Sequence, residues 1–461
     1  MPANVIVSDK QQAMLKNASS VEPLGLPLPT KPPIKTFMKR RTFVQTTAVA
    51  ASSCMLGSAL PRVLAAGAAR MASPPTRVIT SGPKHHWFGY YDKWQFDPAD
   101  RYVLSNQVDF QHRTPRAEDT IGIGMVDTAE GDRWIDLGTS NAWGWQQGCM
   151  LQWVPGRDHT VLWNDREGDQ HVCRILNVAT GERRTIDSPI YALAPDGKSA
   201  VTADFARIQD LRPGYGYVGL TDPHRGELAP EESGIWRVDL DSGERTLLFS
   251  IAEAAAMQPV QESMRGAKHY FNHLLVSPDG QRTVFLHRWR PDGGRGNFRT
   301  RMMTIGMDGS DPYVLIPTNY TSHFIWRDAN HVCAWAEAPG KPKGYYVFRD
   351  QSDDFHQILE GVMPTDGHIS YLPVGDGKEW VVVDTYPHME ATPVQRVFLI
   401  HLPTNEKIEI GKFVSPEPYR GEWRCDTHPR FSRDGKTICI DSPVKGSGRQ
   451  LHLIDVAEIV S

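Results

Sequence analysis

A single unit recurs along this chain, and it restricts the fold more than any other feature. Each copy is an apolar stretch, a polar turn and a second apolar stretch. The first three copies are Phe96-Asp-Pro-Ala-Asp leading to Tyr102-Val-Leu, Trp153-Val-Pro-Gly-Arg-Asp leading to Val161-Leu-Trp, and Leu193-Ala-Pro-Asp-Gly leading to Ser199-Ala-Val. The last four each begin with a histidine. They are His273-Leu-Leu-Val-Ser-Pro-Asp-Gly before Val284-Phe-Leu, His323-Phe-Ile-Trp-Arg-Asp-Ala-Asn before Val332-Cys-Ala-Trp, His368-Ile-Ser-Tyr-Leu-Pro-Val-Gly-Asp-Gly before Val381-Val-Val, and His428-Pro-Arg-Phe-Ser-Arg-Asp-Gly before Ile438-Cys-Ile. Most copies carry a second turn signal further on, such as Asn177-Val-Ala-Thr-Gly-Glu and Val238-Asp-Leu-Asp-Ser-Gly-Glu. Asn, Asp and Gly tolerate the positive φ that tight hairpins require. Short β-rich runs repeating every ~40–50 residues are WD40-like and predict four-stranded blades around an axis.

The expected fold is therefore all-β, a seven-bladed β-propeller over residues 77–461. The last copy ends at Leu451-His-Leu-Ile-Asp-Val, one strand short, and Arg77-Val-Ile-Thr stands ready to supply that strand. A ring closed by the N-terminal strand in the last blade hides its edges from unwanted pairing. The long gap between Ala200 and Tyr270 holds an insertion with Arg212-Pro-Gly-Tyr-Gly-Tyr, and a helix is expected at about Ile251 to Met257.

Upstream, Lys39-Arg-Arg-Thr-Phe-Val-Gln has the pattern of a twin-arginine signal, followed by an Ala-rich apolar stretch ending in Ala65-Ala-Gly-Ala. Residues 38–68 are expected to be a signal peptide read by the twin-arginine export machinery, and residues 1–37, ahead of Met38, a start-site extension. This predicts a periplasmic or secreted protein; lipid attachment at Cys54 is the weaker alternative. After leader removal five cysteines remain without a C-x-x-C, which points to buried free thiols. The net charge of −4 comes from interspersed charges, with no basic stripe for nucleic acid. No second apolar run has the length to span a membrane in the mature chain.

Three groups of residues point to chemistry. In a propeller the innermost strands face the axis, so His273, His323, His368 and His428 converge if each heads such a strand. Neutral imidazole is a common ligand for divalent metals, and Mn²⁺ or Zn²⁺, with Ca²⁺ as a further option, would suit the ring. The second group is aromatic: Lys84-His-His-Trp-Phe-Gly-Tyr-Tyr-Asp-Lys and Trp143-Gly-Trp-Gln-Gln. It offers Trp87, Tyr90, Trp145 and Gln146 as a platform for sugar rings. The third contains Tyr191, Arg207, Arg212, His269 and Tyr270. A phenol beside a cation can act as a base, and Arg forks onto a carboxylate. Acidic residues such as Asp92, Asp109, Asp165, Glu167 and Asp204 show no spacing that singles out a glycosidase pair. No serine-hydrolase elbow, Walker loop or dinucleotide fingerprint occurs.

The Pro-Asp-Gly turns, the histidines heading the inner strands and the export signal together resemble TolB-like propellers. Within these, the chain is similar to the oligogalacturonate lyases and the ulvan lyases. That resemblance implies β-elimination on uronate-containing oligosaccharide or polysaccharide. It implies a metal at His273, His323, His368 and His428. By the ulvan-lyase pattern, Tyr191 would be base and acid and Arg207 the carboxylate neutraliser. Gln146 stands where that pattern has a histidine, leaving His86 or His112 to substitute. A non-catalytic glycan- or protein-binding propeller and a glycoside hydrolase on the same fold are the rival expectations. The glycan, the mode of attack and the oligomeric state are not legible at this level.

Overall fold

Each copy of the repeat folds into one twisted sheet in the computed structural model, which describes residues 69–375, 378–387 and 392–461. Blade 1 runs His85–Trp87, Tyr102–Val108, Ile121–Asp127 and Arg133–Ser140, inner edge to outer. Blade 2 begins at Gln152–Trp153, blade 3 at Ala192–Leu193 and blade 4 at Lys268–Val276. Blades 5, 6 and 7 begin at Thr321–Asp328, Ile369–Tyr371 and Arg430–Phe431. Thr76–Val78 completes blade 7 against Gly448–Asp455, with Arg77 opposite Leu453, so the expected closure is observed. A further short strand, Arg70–Met71, adds in parallel to the outer edge of blade 6, which the sequence pattern did not signal. The signal-peptide and start-site expectations lie outside the described residues.

The strand sequences are nearly unbroken apolar runs because each blade is sandwiched between two others. Val381, Val382 and Val383 are all fully buried. Val381 and Val383 pack with Trp335 and Tyr345 of blade 5, while Val382 packs with Phe431 and Ile438 of blade 7. Side chains alternate across a strand, so one run serves two interfaces. Burying a valine contributes about 1.5–3 kcal/mol. Every neighbouring pair of blades has such a cluster, including the pair that closes the ring, where Phe96 and Val103 meet Cys439 and Leu451. The five described cysteines are buried free thiols.

Two helices stand in the blade 3 insertion and its exit. Ile251–Ala256 matches the expected helix and starts with a reciprocal Ser250–Glu253 cap. Phe205–Leu211, capped by the Asp204 carboxylate, was not expected. Its short apolar stretch matches a strand equally well in the sequence, and the cap and the insertion's packing decide the outcome.

The axis is not open. The connection after His85–Trp87 leaves blade 1 and crosses to the far side of the ring. Tyr91 donates its hydroxyl proton to the Phe324 carbonyl in blade 5 at 2.8 Å and accepts the Phe324 amide at 2.9 Å. Gly89 permits the crossing: its φ is +116°, and an added Cβ would lie 2.8 Å from the Gln147 carbonyl carbon.

Candidate metal centre and cleft

The four repeated histidines do face the axis, but they do not form one ring of ligands. The imidazoles of His323, His368 and His428 lie together, with ring centres 4.0 Å and 4.2 Å apart in sequence. His273 stands to one side, against Tyr90 at 4.9 Å and Tyr215 at 5.3 Å. Its Nδ1 contacts the Gln147 amide, and burial with nearby Arg288 holds its pKa well below the ordinary range. His273 and His428 both have positive φ, 54° and 42°. Non-glycine residues rarely adopt this conformation, and it re-aims both rings relative to a regular strand.

Carboxylates fix two of the three grouped imidazoles, those of His368 and His323, and hold the backbone of His428. Asp384 ends the second strand of blade 6. It accepts the His368 Nδ1 proton at 2.9 Å and the His368 amide at 2.7 Å. Its other oxygen accepts from the Thr427 hydroxyl at 2.7 Å and the His428 amide at 3.1 Å. Burial opposes ionisation of Asp384, but these donors outweigh it and its pKa is lowered. Asp366 takes the Nδ1 proton of His323 at 2.8 Å. Burial disfavours the charged His323, yet Asp366 outweighs it and the pKa rises. A carboxylate on Nδ1 leaves the Nε2 lone pair for a ligand, the arrangement typical of metal-binding histidines.

What those lone pairs meet is informative. His368 Nε2, His428 Nε2 and Asp426 Oδ1 are all buried with no hydrogen-bond partner. His368, Asp426 and His428 each offer a ligand atom within 4.8 Å of the others. Unpaired buried acceptors are costly, so their convergence calls for a cation. Two imidazoles and a carboxylate fit a divalent transition metal, whereas Ca²⁺ prefers oxygen throughout. The recurrence Asp366-Gly-His368 and Asp426-Thr-His428 is the sequence signal that marks the carboxylates.

A cleft of about 340 Å³ opens beside this group, lined by Tyr90, Arg212, Tyr215, Arg288, His323 and Tyr386 among others. Arg288 Nη1 and Arg212 Nε are buried without partners. Tyr215 accepts a hydrogen bond from Arg424 at 2.7 Å. Arg212 stacks over its ring at 5.0 Å. Burial alone would raise the Tyr215 phenol, but Arg424 and Arg212 outweigh it and bring it down to about 8. Arg424 is held in turn by Asp426 at 2.6 Å. Tyr215 lies in the Arg212-Pro-Gly-Tyr-Gly-Tyr insertion. Gly214 takes a φ of +92°, and a Cβ on Gly216 would meet the Phe205 carbonyl at 2.3 Å. Only glycine on both sides lets the loop bring this phenol to the cleft.

Several other expected site residues stand elsewhere. Tyr191 is fully buried, donates to Gln147 Oε1 at 2.7 Å and accepts the His273 amide at 2.8 Å. Burial pushes its phenol far up, so it lacks the lowered pKa a base needs. Arg207 is consumed by Asp222 at 2.8 Å and by backbone carbonyls of His269, His224, Glu227 and Leu228, a clamp on the insertion. His269 bonds to His287 at 2.8 Å and to the Met264 carbonyl. His86 lies between Gln450 and Gln107, and burial takes its pKa down to about 4. His112 is exposed and meets Tyr419 edge-on. Trp87 and Trp145 pack on each other at 5.3 Å and are buried in the core between blades 1 and 2, which leaves no ring face for a sugar. Gln146 donates to the Glu422 and Arg424 carbonyls and so steadies the segment that carries Arg424. Tyr90 and Arg212 do line the cleft.

No protein-family model and no curated protein matches this chain. Solved structures do. An oligogalacturonate lyase from Vibrio parahaemolyticus matches with a TM-score of 0.58 at 13% identity, covering 83% of this chain and 93% of that one. An oligogalacturonate lyase in complex with manganese matches with a TM-score of 0.57 at 15% identity, covering 84% of this chain and 94% of that one. The chain thus has the seven-bladed propeller fold that oligogalacturonate lyases share, carried by a sequence far removed from theirs.

Proposed function

We propose that this protein is an exported lyase that cleaves uronate-containing glycans by β-elimination with the help of a divalent metal. The observation that carries the reading is the convergence of three unpartnered buried ligand atoms, on His368, His428 and Asp426, beside a cleft walled by guanidinium groups. The likeness to oligogalacturonate lyases, one of them in complex with manganese, supports it at the level of fold. A divalent cation held by His368, His428 and Asp426 would neutralise a uronate carboxylate and so acidify the adjacent C5–H.

The chain's own groups supply the rest. Arg212 and Arg288 present free N–H donors to the carboxylate. Tyr215, as phenolate beside Arg424, takes the C5 proton. The C5–H electron pair becomes the C4–C5 double bond, and the C4–O bond breaks towards the leaving sugar. Tyr215, now protonated, returns the proton to the departing oxygen, so the enzyme regenerates its phenolate. The twin-arginine pattern at Lys39-Arg-Arg supports export of the folded protein, with its metal already in place.

The test is ultraviolet absorbance of the purified protein with oligogalacturonate and other uronate oligosaccharides, before and after chelation and metal return. A rising signal from unsaturated product, lost on chelation and restored by Mn²⁺ or Zn²⁺, is expected. New reducing ends without unsaturation would replace the lyase with a hydrolase. Fusion of residues 1–68 to a reporter should direct export that Arg40→Lys with Arg41→Lys abolishes.

A further inference from the structure

The other end of the ring carries a second built hollow that the proposed lyase reaction does not use. It lies where the inner strands end rather than where the histidines begin, among Pro278, Asp328, Tyr371, Pro373 and Phe431. Its volume is about 520 Å³, larger than the cleft at the histidine mouth, and a second hollow of about 330 Å³ adjoins it through Trp94, Pro278 and Trp326. The axial crossing segment separates the two ends. Tyr90 touches the histidines, whereas Asp92, Lys93 and Trp94 line the far hollow.

Its walls have two chemistries. Trp94, Trp326, Tyr371 and Phe431 give flat apolar faces. Four cations also line it, against two acids. Lys93 is paired with Asp92 at 2.8 Å, and Arg327 lies 3.8 Å from Asp328. Arg430 is paired with Asp441, which stands behind the wall. Lys378 has no ion pair with any described residue, and burial lowers its pKa. Three lining residues more than nine-tenths buried keep unpartnered polar atoms, Arg430 Nη1, Ser370 Oγ and the Tyr371 hydroxyl. A buried guanidinium N–H without an acceptor is costly, and a hydroxyl and an ammonium on the same wall complete a set of donors.

We infer that this hollow binds a small organic anion with a flat apolar body, a carboxylate or sulfonate meeting Arg430, Ser370 and Lys378 while its rings lie against Trp94 and Trp326. The site is separate from the lyase centre and stands or falls independently of it. The probe is 8-anilinonaphthalene-1-sulfonate, titrated into the full-length protein by fluorescence and calorimetry. Its uncharged relative, N-phenyl-1-naphthylamine, serves as the control. The expected result is saturable binding of one dye per chain, at least tenfold tighter than the neutral compound. Trp94→Ala should weaken it at least tenfold and Lys378→Ala about fivefold, with unchanged circular dichroism. Both positions are partly exposed, so these variants should fold. Equal affinity for the neutral dye would overturn the inference, as would binding that neither substitution alters. Loss of lyase activity in a variant that still binds the dye normally would touch only the proposed function.

Discussion

Two groups of buried histidines occupy this propeller, and they differ in where the second nitrogen points. On the two innermost strands of blade 4, His269 and His287 bond to each other at 2.8 Å. The remaining nitrogens meet the Met264 carbonyl and the Arg301 guanidinium. Every lone pair and proton there is accounted for, and the pair is architecture. At the axis, His368 and His428 are as deeply buried, yet each keeps Nε2 unpartnered towards Asp426. Burial, aromatic neighbours and residue type do not distinguish the two groups. Closure of the hydrogen-bond network together with convergence does: His171 and His452 also keep Nε2 open, but outside any such group, whereas at the axis two imidazoles and a carboxylate bring their open atoms together.

The sharpest way to break this comparison is to remove an open histidine. His428→Ala should abolish bound metal and reduce turnover to background, measured by elemental analysis and unsaturated-product absorbance; retained metal would move the centre elsewhere. Tyr215→Phe comes next, with an expected loss of about 10²–10⁴-fold in turnover, the usual contribution of a general base. Metal content should be unchanged, and near-native turnover would return the role to another group. His287→Ala in the closed group should leave metal stoichiometry and turnover within twofold while costing about 2–4 kcal/mol of stability in urea unfolding. Tyr191→Phe should be milder still, about 1 kcal/mol from two lost hydrogen bonds, with turnover preserved.

Acid sharpens the same contrast. Burial lowers His86, His171 and His269 from 6.5 to about 4 in the folded protein. Their folded state stays neutral while the unfolded chain takes up protons below 6.5. Their stabilisation is therefore complete above pH 6.5 and is lost as pH falls towards 4. Each histidine contributes a slope of up to about 1.4 kcal/mol per pH unit. Urea midpoints measured from pH 7 to pH 4 should fall steeply, and a flat profile would mean these imidazoles are already charged when folded.

Much of this was legible in the chain. The Pro-Asp-Gly turns and apolar runs dictate seven blades, because a strand buried on both faces must read as Val381-Val-Val does. The missing last strand and Arg77-Val-Ile-Thr together dictate closure. The repeat also places His323, His368 and His428 at one address, since equivalent residues of a ring face the same axis.

The site chemistry was only partly legible, for reasons of distance and accounting. Asp384 serves His368 and His428 from a different strand, and Tyr215 reaches the cleft from an insertion that belongs to no repeat. Tyr191 and Arg207 have the residue types a lyase needs, but their hydrogen bonds are spent on the fold, and no local pattern records where a side chain's partners lie. Local sequence determined the blades, their order and the axial histidines, because periodicity and turn chemistry act over a few residues. Tertiary structure alone decided which polar atoms were closed and which were left open, because hydrogen-bond satisfaction depends on groups tens to hundreds of residues apart.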